Sequence, residues 1–213
     1  MRIFVGIDPS VNSTGVCMQF YNDNLTEKKI SDKFYIIRGN KLTKKETKAE
    51  QENIEFFKYV LYDKIETSKS ENNHEFERIK TDNFIKIVDS IYSIVQENYK
   101  TYNIEDDPIL SLWVCQEGIS YGSTMRTKSI FDLAGLNFML RMKFIKSDSN
   151  IEYIIGTPGE IKKFATGAGN ANKELIVSVF KSTYPEINLP KIDDIADAYF
   201  MASYARYLYE KAN

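Results

Sequence analysis

Apolar residues recur along the chain in short runs that are rich in valine, isoleucine and aromatic side chains. The runs lie at residues 2–8, 15–21, 33–39, 110–117 and 151–157, and turn residues separate the first two. Runs of this length and composition predict buried strands. Because the first three follow one another closely, they predict an antiparallel meander, and all the runs together predict a five-stranded sheet.

Helical spacing of apolar residues dominates the second half of the chain. Residues 83–99 carry an apolar stripe, and residues 129–145 are apolar on most sides. Shorter helices are predicted from Pro158 and over 173–184, and an alanine-rich helix from about 193 to 210. Strands interleaved with helices predict an α/β fold in which helices flank a mixed sheet.

The stretch at about 40–80 differs from the rest in being rich in lysine, glutamate and asparagine. A helical apolar pattern runs through its middle, from Ile54 to Ile65, and the polar residues 67–78 after it predict a loop. We expect this stretch to be an insertion or peripheral element within a single domain at residues 1–213.

Composition narrows the class of protein. At 213 residues, with 43% hydrophobic and 27% charged residues, the chain has the size and make-up of one soluble globular domain. No apolar run is long enough for a membrane span, and the strand-like start MRIFVGID does not suggest a signal peptide.

Cys17 and Cys115 lie in apolar runs, which predicts buried free thiols in the cytoplasm or another reducing compartment. With His74 as its one histidine, the chain is a poor candidate for zinc chemistry.

The net charge of −2 argues weakly against a nucleic-acid partner. Positive charge is nevertheless concentrated in two runs, at residues 38–48 and 126–146, each of which contains a single acidic residue. Taken alone, either run is more simply a solvated surface.

Acidic residues stand where strands end. Asp8 follows the first apolar run and Glu117 ends the fourth, while Asp194 and Asp197 share one face of the last helix by their i, i+3 spacing. Singly, they could be a turn acid, a surface residue and a helix cap. If they converge, each pair about 4 Å apart repels by roughly 4 kcal/mol, which favours binding of Mg²⁺ or Mn²⁺ by these hard oxygen ligands.

Four segments together resemble the RuvC-type Holliday junction resolvases. They are GIDPSVNSTG at 6–15, VCQEG at 114–118, KKFATGAGNANKE at 162–174 and DDIADAYFMA at 193–202, in the family's order. The resemblance covers residues 1–21 and about 83–210. It implies a ribonuclease H-like fold and a homodimer that resolves four-way DNA junctions by paired symmetric nicks. The abundance of lysine, asparagine, isoleucine and tyrosine would suit a phage or viral member.

The resemblance also implies roles for individual acids. Asp8, Glu117, Asp194 and Asp197 correspond to ligands of two Mg²⁺ ions, which Mn²⁺ can replace, and Asp8 would bridge them. Asp193 lies beside the motif and competes with Asp194 for the role of ligand.

For DNA binding the resemblance points to lysines near the glycine-rich loop. Lys162, Lys163 and Lys173 are candidate phosphate contacts. The family often places a wedge-forming aromatic directly after the glutamate. Here the nearest aromatic, Tyr121, is displaced, so it is only a candidate for stacking on bases. The basic runs become candidate contacts for duplex arms, among them Arg126 and Lys128.

Three alternatives remain open at this point. A flap or general branched-DNA nuclease of the same fold would use the same acids. Actin-like and sugar-kinase ATPases also begin with a strand, an acid and a glycine turn, although they need a second domain and an adenosine motif. A catalytically inactive DNA-binding scaffold is disfavoured because all four acids are present.

Overall fold

The fold is built from six strands and six helices among the residues that the structure, a computed structural model, describes. These residues are 1–22, 29–39, 41–66, 73–102, 111–119, 127–147 and 150–212. The strands are β1 (Arg2–Asp8), β2 (Thr14–Tyr21), β3 (Lys29–Arg38), β4 (Phe57–Leu61), β5 (Ser111–Glu117) and β6 (Ile151–Gly156). The helices are α1 (Lys44–Glu52), α2 (Asn73–Tyr102), α3 (Thr127–Ser147), α4 (Pro158–Thr166), α5 (Lys173–Thr183) and α6 (Ile192–Ala212).

The strands form one mixed sheet in the order β4-β3-β2-β1-β5-β6. The neighbours β1 and β2, and β2 and β3, pair antiparallel, whereas β5 pairs parallel to both β1 and β6. The predicted antiparallel meander and the α/β class with a mixed sheet are therefore confirmed.

The predicted number of strands is wrong, because β4 adds a sixth strand at the edge of the sheet. The sequence pattern between Ile54 and Ile65 predicts a helix there. Instead, α1 ends at Glu52, and the chain turns to pair β4 parallel to β3. Phe57 and Tyr59 are buried and Lys58 between them is exposed, which is the two-residue alternation of a strand. The apolar pattern of this segment fits both a strand and a helix, and pairing with the sheet decides for the strand. The predicted loop at 67–78 is wrong from Asn73 onward, where α2 begins, and its first part, residues 67–72, lies outside the described residues.

Helices cover both faces of the sheet. On one face, α2 and α3 pack on Ile3, Val5 and Ile7 of β1. On the other, α5 and α6 pack on Phe4 and on the central strands. Both cysteines are buried free thiols. Among the described residues, no helix combines the length and apolar character that a membrane span requires.

Helix α6 lies unusually close to β1 and β2, because glycines face it. A Cβ added to Gly6 would lie 1.9 Å from the backbone oxygen of Ala198, and one added to Gly15 would lie 2.3 Å from that of Asp194. Any side chain at either position would push the helix away from the sheet. This close contact determines where the first turns of α6 lie relative to the end of β1.

Candidate active site

Asp8 and Glu117 end neighbouring strands on the same face of the sheet. The parallel register pairs Ile7 with Gln116, so Asp8 and Glu117 follow as the next pair. The spacing of neighbouring strands puts their backbones about 4.8 Å apart. Side chains alternate along a strand, so Asp8 points to the same face as Gly6, which α6 contacts. Both carboxylates therefore project toward the helix that carries the other two acids.

Helix α6 brings Asp194 and Asp197 to these strand ends. Gly15, which pairs with Asp8, is the residue that lies against the Asp194 backbone. The Ser13 hydroxyl donates a hydrogen bond to Asp194 Oδ2 at 2.7 Å and so orients this carboxylate. In the sequence, Ser13 is recognisable only as a turn residue. The available signal was a hydroxyl five residues after Asp8 in the same turn.

The four acids line one cavity of about 530 Å³. Two of the predicted phosphate-binding lysines, Lys162 and Lys173, line it as well. So does Asp132 of α3, a lining residue that no sequence motif indicates, which forms an ion pair with Lys80 at 2.9 Å. The structure thus brings acids from four separate segments and two lysines into a single concave site.

Burial and mutual repulsion raise the pKa values of the four acids. Although part of Asp8 is accessible to solvent, protein atoms crowd its carboxylate. Burial, reinforced by the charges of the other three acids, raises the pKa of Asp8 well above the ordinary value. Burial and the charge of Asp197 raise the pKa of Glu117 to about 7. Burial likewise raises the pKa of Asp197 to about 6, with Asp193 and Asp194 adding to the effect and Lys173 opposing it.

Asp193 has a different environment from Asp194. Lys173 Nζ lies 3.1 Å from Asp193 Oδ2. Burial alone would raise the pKa of Asp193, but the hydrogen bond and charge of Lys173 outweigh it and hold the pKa below the ordinary value. In contrast, burial raises the pKa of Asp194 despite its hydrogen bond from Ser13. Asp194 also lines the cavity, which Asp193 does not. The geometry therefore favours Asp194 over Asp193 as part of the cluster.

The donor chemistry of the site fits a hard divalent cation. All four donors are carboxylates whose charges repel one another, and such a cluster either holds protons or binds cations. As the side chains are placed, no three histidine, cysteine, aspartate or glutamate side chains within the described part of the chain surround a common point closely enough to hold an ion. Coordination would require the carboxylates to rotate toward a shared centre within the cavity.

The predicted DNA-binding residues divide into three groups. Lys162 and Lys173 line the cavity. Lys163 is exposed on α4 outside it. Tyr121 and Arg126 lie outside the described residues. Lys128 lies in the first turn of α3, where only the backbone is described.

Local sequence signals hold the two lysine-bearing helices in place. The α4 helix starts with a capping box, in which Thr157 and Glu160 exchange hydrogen bonds, and ends at Gly167 in the left-handed conformation. The Asn172 side chain caps α5 by accepting from the backbone N–H of Leu175, so Lys173 occupies the first position of that helix. Both lysines are therefore carried by well-capped helices beside the cavity.

The fold is shared with a solved structure, although sequence identity is low. The structure of Thermus thermophilus RuvC matches with a TM-score of 0.52 at 14% identity, over 99% of this chain and 96% of that one. T. thermophilus RuvC in complex with Holliday junction substrate gives 0.49 at 15% identity, again over 99% and 96%. Fowlpox virus resolvase with its substrate Holliday junction DNA gives 0.45 at 15%, over 97% and 98%. No protein-family profile and no curated protein matches the chain.

The match with T. thermophilus RuvC shows that this chain has the predicted ribonuclease H-like fold. In this fold, the chain places its acids at the carboxyl ends of β1 and β5 and in the first turns of α6.

Proposed function

We propose that the protein is a metal-dependent endonuclease that resolves four-way DNA junctions by paired symmetric nicks. The observation that carries this proposal is the single cavity lined by Asp8, Glu117, Asp194 and Asp197, together with two lysines, on the fold of T. thermophilus RuvC. That protein is described in complex with Holliday junction substrate, which supplies the substrate class for the proposal. The four sequence segments that resemble the resolvases support the same assignment.

In this proposal the four acids would hold two Mg²⁺ ions, with Mn²⁺ able to substitute. When bound, the cations would activate water and stabilise the leaving oxygen of an in-line phosphoryl displacement. Ser13 orients Asp194 before any cation arrives. Because the pKa of Glu117 is raised to about 7 by burial and by Asp197, this carboxyl would have to give up a proton near neutral pH in order to hold a cation.

Lys162 and Lys173 would receive the scissile phosphate in the same cavity. Both line the cavity together with the four acids, and the charge of each lowers the pKa of Glu117. Lysine ammonium groups bind phosphate as point charges. They would offset the repulsion between the acid cluster and DNA and position the backbone for cleavage.

A homodimer would give the enzyme two active sites for paired nicks. Helix α3 exposes a row of large apolar side chains at helical spacing: Phe131 (71% exposed), Phe138 (60%), Met142 (46%) and Ile145 (58%). An apolar helix face of this kind typically contacts a partner, and we assign it to a second copy of the chain. Sedimentation should show a dimer that Phe138→Lys dissociates, while Ile54→Lys, at another exposed apolar residue (72%), leaves it intact.

The function is tested with synthetic DNA substrates and Mg²⁺. We expect the protein to cut a four-way junction at symmetric positions in two opposing strands, and to leave matched duplex and flap substrates largely uncut. Asp8→Asn should bind the junction without cutting it. Equal cutting of plain duplex would contradict junction specificity, preferential cutting of flaps would indicate a flap nuclease, and full activity of Asp8→Asn would contradict the assigned site.

A further inference from the structure

Helix α1 lies on the same face of the sheet as the acid cluster and at the same end. Cross-strand pairs connect Asp8 to Gly15, Gly15 to Ile36 and Ile36 to Tyr59 in one row across the sheet. Three strand spacings place Tyr59 roughly 14 Å from Asp8. The pKa of Tyr59 is raised to about 12 by burial and by nearby acids, Asp194 among them, which is consistent with this proximity.

One side of α1 fastens the helix to this row. The Tyr59 backbone N–H donates to Glu50 Oε1 at 2.7 Å. The Arg38 guanidinium forms an ion pair with Glu46, which is itself buried. Ala49 packs in the same apolar cluster as α6. A capping box at Thr43 starts the helix. The orientation of α1 is therefore determined by contacts on one face only.

The opposite side of α1 is basic and open to solvent. Lys44, Lys45 and Lys48 are exposed at i, i+1 and i+4, and Lys41 is exposed just before the helix. Lys48 lies 3.6 Å from Glu52, and both side chains are largely exposed, so this pair is weak. Within the described parts of the chain, Lys41, Lys44 and Lys45 have no ion-pair partner. Several free positive charges thus face solvent beside a strongly acidic cavity.

We propose that this basic face of α1 binds the phosphate backbone of a duplex arm of the DNA whose scissile phosphate lies at Asp8. The inference rests on the proposed function and extends it by assigning a partner to residues 41–48. Its lysines lie roughly 15–25 Å from Asp8, which corresponds to about 4–7 base pairs along a duplex. One arm that leaves the cavity across β2 and β3 would therefore pass over α1.

The test compares two double variants that carry the same loss of charge. Lys44→Gln with Lys45→Gln removes the proposed contacts and keeps good helix formers. Lys100→Gln with Lys181→Gln removes two exposed lysines from the last turns of α2 and α5, near the opposite end of the sheet. Circular dichroism melting checks that each variant folds. Fluorescence anisotropy with a four-way junction in EDTA measures binding without cleavage, over a range of KCl concentrations.

We expect the α1 variant to bind roughly 5- to 50-fold more weakly at 0.1 M KCl, with a slope of log K against log [KCl] shallower by about 1.8 for two lost phosphate contacts. The control variant should match the wild type. Hydroxyl-radical protection about 4–7 base pairs from the cut site should disappear in the α1 variant alone. If both variants match a wild type that binds and cuts junctions, the role of α1 is wrong while the proposed function stands. A wild type that binds no branched DNA would overturn both.

Discussion

Asp8 and Glu117 carry like charges on adjacent strand ends, so removing one charge should stabilise the metal-free protein. Asp8→Asn keeps the size and polarity of the side chain and removes a charge that burial and three neighbouring acids disfavour. The same change should abolish cleavage, because the carboxylate is a proposed cation ligand. Stability and activity should therefore change in opposite directions.

The magnitude follows from the spacing and from the pKa values. Two unit charges about 5 Å apart repel by roughly 3 kcal/mol at an effective dielectric of about 20. At pH 8 most of this repulsion is present, because Glu117, whose pKa is raised to about 7 by burial and by Asp197, is then mostly ionised. We therefore expect Asp8→Asn to raise the free energy of unfolding by about 1–3 kcal/mol at pH 8 in EDTA.

The pH dependence has a definite sign. When the pKa of a carboxyl is higher in the folded than in the unfolded state, the free energy of unfolding falls as pH rises between the two pKa values, because the folded state binds the proton more tightly. For Glu117 the interval is 4.5 to about 7, and for Asp197 it is 3.8 to about 6, with burial as the main cause of both raised pKa values. Since burial and the three neighbouring acids also raise the pKa of Asp8 well above its ordinary value, the advantage of Asp8→Asn should be small at pH 4 and grow as pH rises through the range in which these carboxyls ionise.

Urea denaturation at several pH values, in EDTA and in Mg²⁺, measures this effect. Mg²⁺ should stabilise the wild type more than the variant, since a ligand at 100 times its Kd adds about 2.7 kcal/mol. Glu152→Gln removes an exposed acid from β6 and should change little under any condition. An Asp8→Asn protein that is less stable than the wild type in EDTA at pH 8 would refute the idea of a repulsive cluster.

Other substitutions test the neighbouring contacts. Asp194→Asn should abolish cleavage, whereas Asp193→Asn, which frees Lys173 for a phosphate, should tighten junction binding by a few fold and leave the turnover rate nearly intact; equal losses of turnover would contradict the distinction. Gly15→Ala should destabilise the fold by about 1–3 kcal/mol or more in urea denaturation, because its Cβ would lie 2.3 Å from the Asp194 backbone oxygen. Gly159→Ala, with no neighbouring atom nearer than 3.9 Å, is its control. Mg²⁺ affinity measured by calorimetry should fall as pH decreases below about 7, since protons and cations compete for the same raised-pKa carboxylates; a pH-independent affinity would contradict this.

Sequence periodicity predicted most of the fold because most elements are locally consistent. The strands β1, β2 and β5 are continuous apolar runs, as expected for strands buried on both faces, and α4 and α5 carry clear capping residues. The error at β4 has a physical origin. Its 5 residues are too few to distinguish the two-residue period of a strand from the 3.6-residue period of a helix. Pairing with β3 decides for the strand, and β3 lies outside this segment of the sequence.

The identities of the candidate site residues could likewise be read from the sequence. An acid that follows a buried strand has few structural explanations, and the i, i+3 spacing of Asp194 and Asp197 requires only a helix. These local features, with the four resolvase-like segments, determined the fold class and the metal-dependent nuclease hypothesis.

Only the tertiary structure decided which of these groups meet. The parallel register of β1 and β5 sets Asp8 beside Glu117, and two glycines let α6 approach closely enough to add Asp194 and Asp197. The same packing left Asp193 outside the cavity, paired with Lys173. Strand register and helix approach depend on contacts between residues far apart in the chain, so no local pattern contains them. The sequence by itself determined which chemistry was available, and the packing determined where it was assembled.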